Sequence, residues 1–311
     1  MKQNRLILAI TLAFFACLMA PAGILMAQSP AKTLKRIVID PGHGGTDPGA
    51  NGRYSTEAAV SLAISLKLAD YIRASVPDVE VVLTRTTDIF NSVVEKAKIA
   101  NAAKGDLFIC IHTNSADPSR NREIIGHTTK TKTVKKNGKK RKVSVEVPLY
   151  KVTYTPSSAR GTETFIYNVA KSDQRKEMAN DAVDDVVEKL DSESERQINE
   201  LNAADPTRSM MASLLTQQYF QRAASLALTI EEEFKNAGRL SREAKQRQKG
   251  IWVLAAVQMP AVLVETGFIS NPEDEDYLNS EEGQDQICQV ITKSLIRYKN
   301  SLENQKKTNA N

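Results

Sequence analysis

Four side chains stand where reactive groups are often found: His43, Glu57, His112 and Glu265. His43 lies in IVIDPGHGGTDPG (37–49), a glycine-rich turn behind an apolar strand, in a chain with only three histidines. His112 closes a second apolar run, LFICIH, and Glu265 closes a third, PAVLVE. Glu57 opens a long amphipathic stretch fourteen residues after His43. Imidazole nitrogens and carboxylate oxygens are natural zinc ligands, and a carboxylate at the end of so apolar a strand is costly unless it has work to do. A phosphate loop is excluded, because neither a Gly-Lys-Ser/Thr ending nor Gly-x-Gly-x-x-Gly opening a helix is present and Pro48 interrupts. Spacing alone leaves plainer readings open. A strand-end histidine can be an ordinary polar residue, and Glu57 can be a first-turn acid favoured by the helix dipole. Asp40 and Asp47 read as turn formers, and His127 as a surface residue.

The elements that must position these groups follow from periodicity. KRIVID (35–40), VEVVLTRT (79–86) and GDLFICIH (105–112) read as strands. Residues 56–76, capped by Ser55 or Thr56, and 91–103 read as helices between them. That alternation predicts an α/β fold, a single domain with a twisted, mostly parallel sheet and helices on both faces. The carboxyl ends of such strands line one edge, where ligands bind. GTETFIY (161–167) returns to strand, and helical stretches follow at about 173–201 and 208–236. A further apolar pair, GIWVLA and MPAVLVETGF, precedes a final helix at about 281–302 and a loose polar tail, 303–311.

Two insertions interrupt the pattern. Residues 117–160 carry twelve Lys/Arg against three Asp/Glu, and within them 128–153 alternate Thr, Val and Lys around Asn137-Gly138. Asn-Gly between alternating runs predicts a β-hairpin, and its lysines discourage edge pairing. Residues 171–205 carry five basic against eleven acidic side chains and form an acidic helical insertion. The whole-chain charge of +5 hides this asymmetry. An anionic polymer, a membrane surface or the acidic segment itself would suit the basic one; nucleic acid would not in an exported protein.

Export is read from residues 1–27. A basic start with Lys2 and Arg5, an uncharged apolar run, and small residues near Ala27 form a signal-peptide pattern, followed by a short linker at 28–34. Pro21 and Gly23 favour cleavage over a retained anchor, leaving no membrane span. Removing that segment leaves Cys110 and Cys288, too few for a disulfide framework. An exported protein, periplasmic or associated with the cell wall, is expected.

In order, IVIDPGHGGTDPGA, Glu57 before AAVSLAISLKLADYI, FICIHTNSA and MPAVLVETGFISNPEDEDYL resemble the zinc-dependent N-acetylmuramoyl-L-alanine amidases of cell division. The resemblance covers nearly all of 35–300 outside the insertions, and 35–302 would form the catalytic domain. It implies one zinc ion held by His43, Glu57 and His112, with a fourth position open for water, and Glu265 as the catalytic carboxylate. The substrate implied is peptidoglycan, cut between the muramic lactyl group and the first alanine of the stem peptide. Division amidases carry a regulatory helix where 171–205 lies. Glu177, Asp181, Asp184, Asp185 or Glu188 would then block the zinc until a protein activator moved the helix. The family's usual wording of that helix is not clearly present. A non-catalytic wall-binding protein on the same fold is the alternative, but it would be expected to lose ligands, and all four inferred site residues are here.

Overall fold

In a computed structural model, the described residues are 33–136, 138–168, 206–247 and 251–309. The expected signal peptide and all five acidic candidates of the 171–205 insertion lie outside them. Strands β1 (Arg36–Pro41), β2 (Glu80–Leu83), β3 (Leu107–Asn114), β6 (Thr162–Tyr167), β7 (Ser241–Arg247) and β8 (Ala261–Phe268) form one sheet in the order β2-β1-β3-β8-β6-β7. All neighbours pair in parallel except β6 and β8, so β6 and β7 run opposite to the rest. The sheet is therefore mostly parallel, as the alternation predicts.

Period two divides the strand side chains between two cores. Ile37, Ile39, Leu107, Ile109, Ile111, Val262 and Val264 pack against α1 (Glu57–Ser75), α3 (Pro206–Asn236) and α6 (Glu281–Asn309) through such residues as Ile64, Leu68, Leu226, Ile230 and Ile291. Val38, Phe108, Cys110, Ala261 and Leu263 face α2 (Val93–Ala102) and α4 (Trp252–Ala256) through Ala97, Ala100 and Leu254. Each fully buried aliphatic side chain contributes about 1.5–3 kcal/mol, so strands apolar on both sides are held centrally and rigidly. Local signals set the helix starts. Thr56 caps α1 through Ala59 N, and Ser92 with Glu95 forms a capping box on α2.

Several elements differ from expectation. β7 has no apolar alternation in SREAKQR; as an edge strand paired only with β6 it keeps most side chains in solvent. A short helix, α5 (Pro272–Asn279), follows β8, started by Asn271, whose side chain accepts from Glu273 N and Asp274 N. α6 continues to Asn309, past 302 and into the polar tail, where Lys299 and Glu303 pair one turn apart at 3.1 Å. Asp40 is no turn former: it is buried at the end of β1, with Lys96 Nζ at 3.1 Å and the Thr84 hydroxyl and Cys110 thiol donating to it. Both described cysteines are free and buried. His127 is exposed.

Glu275 of α5 is fully buried and accepts hydrogen bonds from the backbone N–H groups of Arg53, Tyr54 and Ser55 and from the side chains of Arg53 and Ser55. Burial alone would raise its carboxyl, but these donors prevail and lower it from 4.5 to about 2. A depressed acid stabilises the fold above its unfolded value and loses that contribution as pH falls through its folded one. Glu275→Gln is expected to cost about 2 kcal/mol at pH 7. The gap between the urea midpoints of variant and parent should close as pH drops from 4.5 towards 2.

Candidate active site

The carboxyl-terminal edge of the parallel strands gathers the four chemically suggestive residues. His112 and Glu265 are register partners on β3 and β8. Glu57 is the first residue of α1, and His43 sits in the turn after β1. One carboxylate joins three of these pieces. Glu57 Oε2 lies 3.2 Å from His43 Nε2, and Glu57 Oε1 lies 2.7 Å from His112 Nδ1. The backbone N–H groups of Ala50 and Thr113 also donate to Glu57, at 2.9 and 3.2 Å. One ligand atom from each of His43, Glu57 and His112 lies within 4.8 Å of the others, a group able to hold a metal ion.

The turn places His43 at some conformational cost. His43 itself has φ 55°, a left-handed conformation uncommon for a residue with a Cβ. Paired backbone bonds between Gly44 and Asp47 close the turn (2.8 and 3.1 Å). Asp47 Oδ2 accepts from His43 Nδ1 at 2.8 Å, which turns Nε2 towards Glu57. A carboxylate behind a histidine is the usual way to fix a ligand ring and its tautomer. The sequence offered Asp47 only as a turn former; its second role could be read only from its spacing of four from His43. Behind the turn, the buried Arg85 guanidinium donates to the carbonyls of Pro41, Gly42 and Ala58, and Lys96 Nζ donates to Pro41 O.

Electrostatics distinguish the acids. Burial would lower His43, but contacts with Glu57 and Asp47 prevail and raise it to about 9. Burial would raise Glu57, but its contacts with His112 and His43 hold it well below the usual carboxylate range. The atoms sharing protons in this cluster are those a divalent ion would take, releasing the protons as it binds. Glu265 goes the other way. Burial, with the nearby Glu57 charge, raises it to about 7 against the pull of His112 and Arg247. Arg247, not singled out from the sequence, reaches from β7 to Glu265 Oε1 at 3.1 Å while lying over the Phe165 ring. The other oxygen, Oε2, is buried without a hydrogen-bond partner among the described residues. A carboxyl that titrates near neutrality with one unengaged oxygen suits proton transfer.

A cluster able to hold a metal, beside a buried carboxyl at the open edge of an α/β sheet, defines a hydrolase-type centre. The chain belongs to the N-acetylmuramoyl-L-alanine amidase family, whose model (Amidase_3) matches residues 37–297. It is 26% identical over 277 residues to the N-acetylmuramoyl-L-alanine amidase AmiA of Escherichia coli K12, covering 87% of this chain and 78% of that protein. It is 27% identical over 273 residues to AmiC of Neisseria meningitidis serogroup B, covering 85% and 53%. Among solved structures, an N-acetylmuramoyl-L-alanine amidase from Clostridium difficile 630 superposes with a TM-score of 0.52 at 23% identity, covering 87% of this chain and 99% of that one. The CwlD amidase of Clostridioides difficile, solved in complex with the GerS lipoprotein, gives 0.51 at 21%, covering 85% and 98%. These two show the same fold.

Gly49 makes the geometry testable. It has φ +65°, and a Cβ there would lie 2.6 Å from His43 Cδ2 and 2.7 Å from Glu57 Oε2. Gly49→Ala is expected to weaken divalent-ion binding roughly tenfold or more, the scale on which disturbed ligand support acts. Titration against a competing chelator measures this. An unchanged affinity would show that the cluster is not the binding site.

Proposed function

We propose that this chain is a zinc-dependent, exported peptidoglycan amidase that cuts between the muramic lactyl group and the first alanine of the stem peptide. The observation that carries the reading is the meeting of His43, Glu57 and His112 at one sheet edge, with Glu265 one strand away. The donor set fits zinc: two imidazoles, one carboxylate, and a carboxylate behind His43. Held by His43, Glu57 and His112, zinc would supply a Lewis acid and a water acidic enough to react near neutral pH.

The chain's own residues do the rest. Asp47 keeps His43 aligned, Arg85 ties the backbone of its turn to α1, and Lys96 of α2 holds the end of β1 that leads into it. Glu265 accepts a proton from the attacking water on its unengaged oxygen and returns it to the departing alanine amine. Arg247 keeps that carboxylate oriented through its other oxygen. Action outside the cytoplasm, in wall remodelling or daughter-cell separation, accords with the relatives' names and with the apolar start of the chain. Among the described residues no helix is long and apolar enough to cross a membrane.

Mass spectrometry of peptidoglycan treated with the protein tests the reaction. Free stem peptides beginning with alanine are expected, lost with chelator and restored by zinc. Glu265→Gln should lower turnover roughly 10²–10⁴-fold while leaving zinc content unchanged. Release of sugars instead of peptides, or an unaffected Glu265→Gln enzyme, would refute the assignment.

A further inference from the structure

The basic insertion forms a ribbon of two antiparallel strands, β4 (Ser119–Lys136) and β5 (Lys139–Thr155), paired among the described residues only with each other. Gly138, with φ 75°, directly precedes β5, where the Asn-Gly pair predicts a hairpin turn. Pairing extends without a break from Lys136↔Lys139 to Gly126↔Leu149, then past one bulge to Ser119↔Thr155. At about 3.3 Å per residue, eighteen residues of β4 extend roughly 55–60 Å.

Three features define what this arm could hold. The first is its root. β4 begins five residues after Asn114, the end of β3, and β5 leads into β6, whose Glu163 is the register partner of Glu265. Asn114 donates to Glu163, and Asn271 donates to the Ser157 carbonyl. The arm therefore leaves from the rim of the candidate active site. A cleft of about 270 Å³ lies there, bounded by Arg53, Pro118, Tyr154, Pro156 and Ile269.

The second feature is charge. Residues 119–155 carry eleven Lys/Arg and only Glu123 and Glu146 as acids. Cations occupy both faces of the outer half. Lys130, Lys132 and Arg141 alternate with Lys135, Lys140 and Lys142 across the pleat. A ribbon made to lie on a lipid surface would concentrate apolar groups on one face and charge on the other. Here Val134, Val143, Val145 and Leu149 do share one face, but Lys130, Lys132 and Arg141 stand among them, so both faces are cationic, which suits an anionic matrix around it.

The third feature is the inner half, where Arg120, Arg122, Ile124, Tyr150 and Tyr154 share one face that carries no carboxylate. Arg122 lies over the Tyr150 ring, and Tyr154 is 63% exposed beside the cleft. Exposed tyrosine and guanidinium together offer an apolar plate for a sugar ring and donors for a carboxylate.

We propose that the β4–β5 ribbon is a polymer-binding arm that grips anionic peptidoglycan strands next to the one being cut. This rests on the amidase reading for the identity of the polymer. The arm raises the local concentration of substrate at the site and discriminates polymeric wall from small fragments.

Two variants of the full chain test it, each checked for folding by thermal unfolding. One replaces 126–149 by Asn-Gly; the other carries Lys130→Glu, Lys132→Glu, Lys140→Glu and Lys142→Glu. Cosedimentation with insoluble peptidoglycan should weaken roughly tenfold in both, and parent binding should weaken similarly at an ionic strength of about 0.5 M. Hydrolysis of a soluble disaccharide-peptide should stay within about twofold of the parent. Unchanged cosedimentation of both variants would overturn the proposal, as would tighter binding of the parent to anionic phospholipid vesicles than to peptidoglycan. Failure of every form to cut the soluble fragment would instead count against the amidase reading, with the cosedimentation result still deciding the arm.

Discussion

The Glu57 carboxylate is the constraint on which the site depends. Its two oxygens meet an imidazole from the β1 turn and one from β3, and its backbone starts the helix packed across both strands. Three separate segments are thus fixed relative to one another by one side chain. The same low-dielectric setting that strengthens these contacts makes any unpaired member expensive. Glu57, His43 and His112 therefore stand or fall as a unit.

Around that unit, positive charge is used as scaffolding. Arg85 is buried, yet its nearest acceptors are carbonyls of the His43 turn and of α1. Lys96 divides its donors between Asp40 and Pro41 O. On the other side, Glu275 gathers the N–H groups of the loop that leads into Glu57. Backbone that no strand or helix satisfies is satisfied here by buried ions, so a glycine-rich turn is as firmly held as the sheet beside it.

How much of this could be read from the sequence depends on the range of the interaction. Strands β1, β3 and β8 declared themselves by unbroken apolar runs, and α1 by its period and cap. The four candidate site residues stood out because a polar group at the end of such a run has few reasons to be there. β7 gave no sign, since its one apolar residue, Ala244, is all that packs against the core, too little to leave a periodic trace. Asp40 resembled a turn residue because its partner, Lys96, lies 56 residues on and looks like part of a solvated helix face. Glu275 sits in NPEDEDY, which reads as acidic surface, while the N–H groups it holds lie about 220 residues earlier. Such roles depend on contacts that no local pattern encodes.

The ribbon and the body also differ in how they assemble. Ribbon contacts radiate from a single tight turn and close progressively outward, each pair bringing only the next within reach. The parallel sheet joins β3 to β8 across some 150 residues and must close long loops before any pair is rewarded. Hairpin closure takes microseconds, whereas such non-local pairing is far slower. Among the described residues the ribbon shares no strand pairing with the body, so amide exchange along it is expected to run independently of the sheet that carries the chemistry.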